Sequence, residues 1–153
     1  MRAAELNTPC DDSIESIERV EACGAARFPL FTARIPAGFP SPADDYVDAG
    51  LDLNELLVRH PAATFFVRVS GDSMTGAGIH SGDVLVVDRA ETARDRSVVI
   101  AALNGELAVK RFIRDDGRVY LVSENANYAP LEVTAEMEFE VWGVVVHVIH
   151  SFK

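Results

Sequence analysis

Two side chains have the chemistry of a nucleophile and its base, Ser73 and Lys110. Ser73 lies in the polar pentad Ser70-Gly71-Asp72-Ser73-Met74, directly after the strand-like run Thr64-Phe65-Phe66-Val67-Arg68-Val69. A hydroxyl at a strand end is held by a rigid scaffold and still open to solvent, which is where nucleophiles tend to sit. The pentad also has the composition of a plain turn. Lys110 lies in the run Glu106-Leu107-Ala108-Val109-Lys110-Arg111-Phe112-Ile113. Strand alternation puts Ala108, Lys110 and Phe112 on one face, and Leu107, Val109, Arg111 and Ile113 on the other. Burial between a small residue and an aromatic disfavours a charged ammonium, and a neutral lysine can take a proton from a serine hydroxyl. Alternation alone fits a plainer reading better, a strand lysine whose head reaches water.

Other nucleophile schemes lack their residues. There is no Gly-x-Ser-x-Gly elbow, since Asp72 and Met74 flank Ser73. His80 sits in the turn Gly78-Ile79-His80-Ser81-Gly82 and reads as a solvated turn residue. No phosphate loop and no zinc, calcium or nucleotide motif is present, and His60, His80, His147 and His150 form no ligand spacing. The two cysteines, Cys10 and Cys23, lie in the polar N-terminal stretch and make no disulfide framework. The expectation is a cytoplasmic protein without metal or cofactor.

The elements that must hold these residues are those of one domain. The 153 residues suffice for a single core, and 48% hydrophobic content argues for a globular chain. A formal net charge of −10 disfavours direct DNA binding and suits basic patches on protein partners. The N-terminus lacks an apolar signal region, and the longest apolar run, Val141 to Ile149, is too short to span a bilayer, so no membrane association is expected.

Along the chain, residues 1–27 are polar and acidic. Ile14, Ile17 and Val20 have the spacing of a short amphipathic helix, within what otherwise reads as a mobile tail. Residues 28–42 hold four prolines together with Phe28, Leu30, Phe31, Ile35 and Phe39. The prolines favour an extended course, and the apolar side chains suit a segment lying across the protein or a partner. At its centre the small pair Ala37-Gly38 is either a flexible joint or a peptide bond that a narrow active site can accept. Asp52 to His60 reads as a helix, with Asp52 and Glu55 as a capping box and Pro61 as its stop. From Thr64 the pattern is β, over 64–69, 84–88, 97–103, 106–113, 118–122 and 139–149, with Asn104-Gly105 as a hairpin turn. The fold class is therefore mostly β, with short strands and one short helix. The run Val141 to Ile149 is apolar on both faces, as in a central strand or one covered by a second subunit.

Taken together these segments resemble a known family. Ser70-Gly71-Asp72-Ser73-Met74, Gly78-Ile79, Gly82-Asp83, Val109-Lys110-Arg111, Glu124-Asn125 and Gly143-Val144-Val145 resemble the self-cleaving LexA/UmuD serine peptidases. Phe28-Pro29-Leu30-Phe31, Gly38-Phe39-Pro40-Ser41-Pro42, Asp45-Tyr46-Val47 and Asp52-Leu53-Asn54 are similar to the UmuD branch. The acidic segment before Gly38 lacks the recognition-helix pattern of the repressor branch.

The resemblance implies a small LexA/UmuD-like peptidase domain of twisted strands over residues 38–153. It implies a flexible N-terminal arm, residues 1–37, that self-cleavage removes. Ser73 would be the nucleophile, Lys110 the general base, and the backbone N–H groups of Asp72 and Ser73 the oxyanion hole. The scissile bond would be Ala37-Gly38; Cys23-Gly24 falls outside the matched segment. Implied partners are a second copy in a homodimer, the RecA filament on single-stranded DNA, and a UmuC-type Y-family polymerase acting in translesion synthesis. A non-catalytic acidic β module regulating a polymerase, and a phage or plasmid self-peptidase with another partner, are the competing expectations.

Overall fold

The computed structural model describes residues 14–20, 26–31, 37–38 and 47–153. Cys10, Cys23, residues 32–36 and 39–42 of the proline-rich stretch, and Asp45-Tyr46 lie outside the described residues. The strands are β1 (Ile14–Arg19), β2 (Arg27–Phe31), β3 (Val47–Asp52), β4 (Thr64–Val69), β5 (Val84–Asp88), β6 (Val98–Leu103), β7 (Glu106–Asp115), β8 (Arg118–Val122), β9 (Leu131–Val133) and β10 (Phe139–Ile149). A short helix, α1 (Leu53–Leu57), follows β3. The mostly β expectation holds, and each of the six expected strands is present within two residues of its bounds.

Local chemistry accounts for the turns. Asp52 caps α1, its Oδ1 accepting the N–H of Asn54 at 2.8 Å. Glu55, expected to complete a capping box, reaches Arg27 at 3.4 Å. The helix ends at Leu57, earlier than expected, and Pro61 opens a 3-10 turn instead of merely stopping a helix. Asn104 and Gly105 both have positive φ, 49° and 83°, the backbone that a two-residue hairpin needs.

Antiparallel pairing gives one eight-stranded sheet in the order β1-β4-β5-β10-β6-β7-β8-β9, and β2 and β3 form a separate pair. Here the helical expectation for Ile14, Ile17 and Val20 is overturned. Residues 14–19 are a strand that pairs with β4 from Ile14↔Val69 to Arg19↔Phe65. Without it β4 would present a row of unpaired N–H and C=O groups, and pairing them outweighs the marginal stability of a short helix. Ile14 also packs against the core.

Side chains alternate between two apolar clusters. Val67, Val69, Met74, Ile79, Leu85, Val87, Ile100 and Val109 form one, and Val99, Ala101, Phe112, Leu121 and Val144 form the other. β10 runs between β5 and β6, so the apolar C-terminal run is a central strand. A Cβ on Gly143 would stand 2.5 Å from Val87 Cγ1, so glycine there lets the strands and side chains close up.

Candidate active site

The serine loop hangs between β4 and β5. Val69 donates its N–H to Asp83 O at 3.0 Å, and Gly82 donates to Val69 O at 2.7 Å, so the two strand ends are clasped. Between them Met74 and Ile79 pack into the first cluster and draw the loop inward. Residues 75–77 make a 3-10 turn that Gly78 closes at φ 79°. Ser73 follows this inward course and is fully buried. That corrects the expectation of a solvent-open hydroxyl: Met74 anchors the neighbouring position in the core, whereas Asp72 remains exposed.

Lys110 lies in β7 opposite Val99 of β6 and is half-buried. Continuing the β7–β8 register one step past Val122 sets Ser123 across from Lys110. The Lys110 ammonium donates to Ser123 Oγ at 2.8 Å, and Ser123 is 8% exposed. Lys110 Nζ also stands 5.7 Å from the centre of the Tyr128 ring, within cation–π range.

The segment 123–128 joins these two halves. Gly76 donates its N–H to Glu124 O at 2.7 Å, and Asn125 Nδ2 donates to Asp72 O at 2.9 Å. Tyr128 OH donates to Asp72 Oδ1 at 2.6 Å. The Glu124 carboxylate pairs with Arg111, next to Lys110 on β7. A Cβ on Gly76 would lie 2.5 Å from Glu124 O, so only glycine permits this approach. Tyr128 thus touches the residue beside Ser73 with its hydroxyl and Lys110 with its ring.

Ala37 and Gly38 form an exposed bend, and a Cβ on Gly38 would meet open space. Of the residues singled out from sequence, the fold ties Lys110 and Asp72 to one clamp. Ser123 and Tyr128 escaped sequence reasoning. For Ser123 the signal was available only through register, as the position facing Lys110 across a hairpin. For Tyr128 no local signal exists, since its partner Asp72 lies 56 positions away.

Comparison with known proteins agrees with this architecture. Residues 29–146 match the family model described as Peptidase S24-like. Protein SamA of Salmonella typhimurium is 50% identical over 125 residues, covering 82% of this chain and 86% of its own. Protein MucA of Escherichia coli is 44% identical over 135 residues, covering 86% and 92%. LexA repressor 1 of Pseudomonas putida is 38% identical over 117 residues, which is 76% of this chain and 57% of the repressor.

Proposed function

This chain belongs to the Peptidase S24-like family as a UmuD-type member, and from that premise we propose that it cuts its own Ala37–Gly38 bond. The supporting observation is the clamp of residues 123–128, which bonds to Lys110 on one side and to Asp72, beside Ser73, on the other. Lys110 and the loop that carries Ser73 thus share one frame, and the buried Ser73 has still to be opened to the docked peptide.

In this reading Lys110 takes the Ser73 Oγ proton, and Oγ bonds to the Ala37 carbonyl carbon. The N–H groups of Asp72 and Ser73 stabilise the oxyanion. The C–N bond breaks, and the Gly38 nitrogen leaves with the proton from Lys110. Water then hydrolyses the acyl-serine and residues 1–37 depart, taking β1 from β4 and β2 from β3. A substrate in the same chain has a high effective concentration, so a single slow turnover suffices. RecA on single-stranded DNA promotes docking of the 28–42 segment. The trimmed homodimer then joins a UmuC-type Y-family polymerase for translesion synthesis in the SOS response. Among the described residues no helix is long and apolar enough to cross a membrane.

The test is to hold purified protein at alkaline pH without RecA and weigh the products. A fragment of residues 1–37 is expected, with the rate rising as the base loses its proton. A rate flat from neutral to about pH 10 would remove Lys110 from that role. Ser73→Ala and Lys110→Ala should each abolish the fragment. Its absence from the parent chain would leave the acidic binding module as the reading.

A further inference from the structure

Each end of β5 carries an aspartate that is almost fully buried, Asp83 before the strand and Asp88 at its end, both 2% exposed. Neither is needed for the proposed cleavage. A buried carboxylate must be compensated by polar partners, and the two ends solve this differently.

At Asp83 the partners are two histidines. The backbone N–H of His80 donates to Asp83 Oδ2 at 2.8 Å, which fixes the carboxylate. The other oxygen, Oδ1, faces His150 Nδ1 at 2.5 Å. The His80 and His150 rings are 5.2 Å apart, and Phe152 packs edge-on against His150 at 5.4 Å. One ligand atom from each of His80, Asp83 and His150 lies within 4.8 Å of the others. The rings are 52% and 42% exposed, so an ion can reach them.

We infer that His80, Asp83 and His150 form a binding site for one divalent transition-metal ion of the zinc class. Two imidazoles and a carboxylate are the donors that borderline metals select over calcium or magnesium. Water supplies the fourth position. A tetrahedral ion needs ligand atoms roughly 3.3 Å apart at bond lengths of about 2.0–2.2 Å. His150 Nδ1 and Asp83 Oδ1 must therefore separate by somewhat under 1 Å, and the His80 ring, whose Nδ1 stands 3.9 Å from Asp83 Oδ2, must close in, both rotations of exposed rings. The metal takes the place of the proton between those two atoms, and that proton passes to solvent. The His80 N–H bond to Oδ2 is the kind of outer contact that orients a metal-bound carboxylate.

The opposite end of β5 lacks this composition. Asp88 accepts from His60 Nδ1 at 2.6 Å and from Ala90 N at 2.8 Å, the same use of both oxygens as at Asp83, so the difference lies in the other ligands. Only one histidine joins Glu91 in that group. Arg59 and His147 line the adjoining cavity of about 220 Å³ beside Asp88; His147 is not among the three grouped ligand atoms, and the Arg59 charge opposes a cation.

The experiment titrates zinc chloride into full-length, untagged, chelator-treated protein by calorimetry, with melting temperature as a second readout. One zinc per chain and a raised melting temperature are expected. His80→Ala and His150→Gln should each weaken binding by roughly tenfold or more, as for loss of a ligand, whereas His60→Ala should leave it unchanged. A Cys10→Ser/Cys23→Ser chain should bind as the parent does. No binding by the parent, equal binding by the histidine variants, or loss of binding in the cysteine variant would each overturn the site. None of these readings depends on self-cleavage.

Discussion

The serine loop and the Ala37–Gly38 bend are built in opposite ways. Around Ser73 the loop is tied down: the strand ends are clasped, Met74 is in the core, and the 123–128 segment bonds to Asp72 and Gly76. At Ala37–Gly38 both residues are exposed and Gly38 faces open space. The contrast teaches where control of the proposed cleavage lies. The residues proposed to react lie in packed or hydrogen-bonded surroundings, while Ala37 and Gly38, the bond proposed to be cut, are exposed. A switch on the proposed cleavage would therefore act on bringing the peptide in, at less cost than rebuilding a packed loop.

The comparison breaks most severely at Gly76. Gly76→Val pushes side-chain atoms into Glu124 O and should cost about 1–3 kcal/mol, as overpacking does. Thermal melting should fall by roughly 2–4 °C per kcal/mol, with cleavage lost at the same time. Unchanged melting would mean that the clamp is not a fixed part of the loop.

Gly38→Val tests the open side. It should leave stability within about 0.5 kcal/mol, since the added atoms meet nothing. Cleavage should slow by roughly tenfold or more, because a narrow site must then accept a branched residue. A drop in melting temperature would show that the bend is packed after all.

Ser123→Ala removes the hydroxyl that Lys110 donates to. Cleavage should fall by roughly tenfold, in line with a lost hydrogen bond to a charged group. If Ser123 positions the lysine for the proposed cleavage, the pH profile of the remaining activity should move, and Ser123→Thr should restore much of the rate. A variant that lost rate with an unmoved profile and no threonine rescue would mark Ser123 as merely structural. Tyr128→Phe is the mildest change. It deletes the bond to Asp72 while keeping the ring near Lys110, and should cost about 1 kcal/mol of stability and a few-fold in rate.

Much of this molecule was legible before its fold. The serine loop, the lysine strand, the Asn104-Gly105 hairpin and the Asp52 cap all depend on residues close together in the chain. For these, alternation and turn chemistry carry the information. The misreadings have one cause. Ile14, Ile17 and Val20 have helical spacing, yet the open edge of β4 offers them backbone partners that a local pattern cannot reveal. Ser73 sits in polar surroundings by sequence, yet core packing of Met74 and Ile79 takes the loop inside.

The residue types of the proposed reaction, and the strands that carry them, follow from local composition and period. Which distant residues meet depends on the folded sheet. Ser123 faces Lys110 through strand register, Tyr128 reaches Asp72 across the loop, and His80 joins His150 over the buried Asp83. Sheet order and packing fix such meetings, and the buried Ser123 and Asp83 gain the partners that burial obliges them to find.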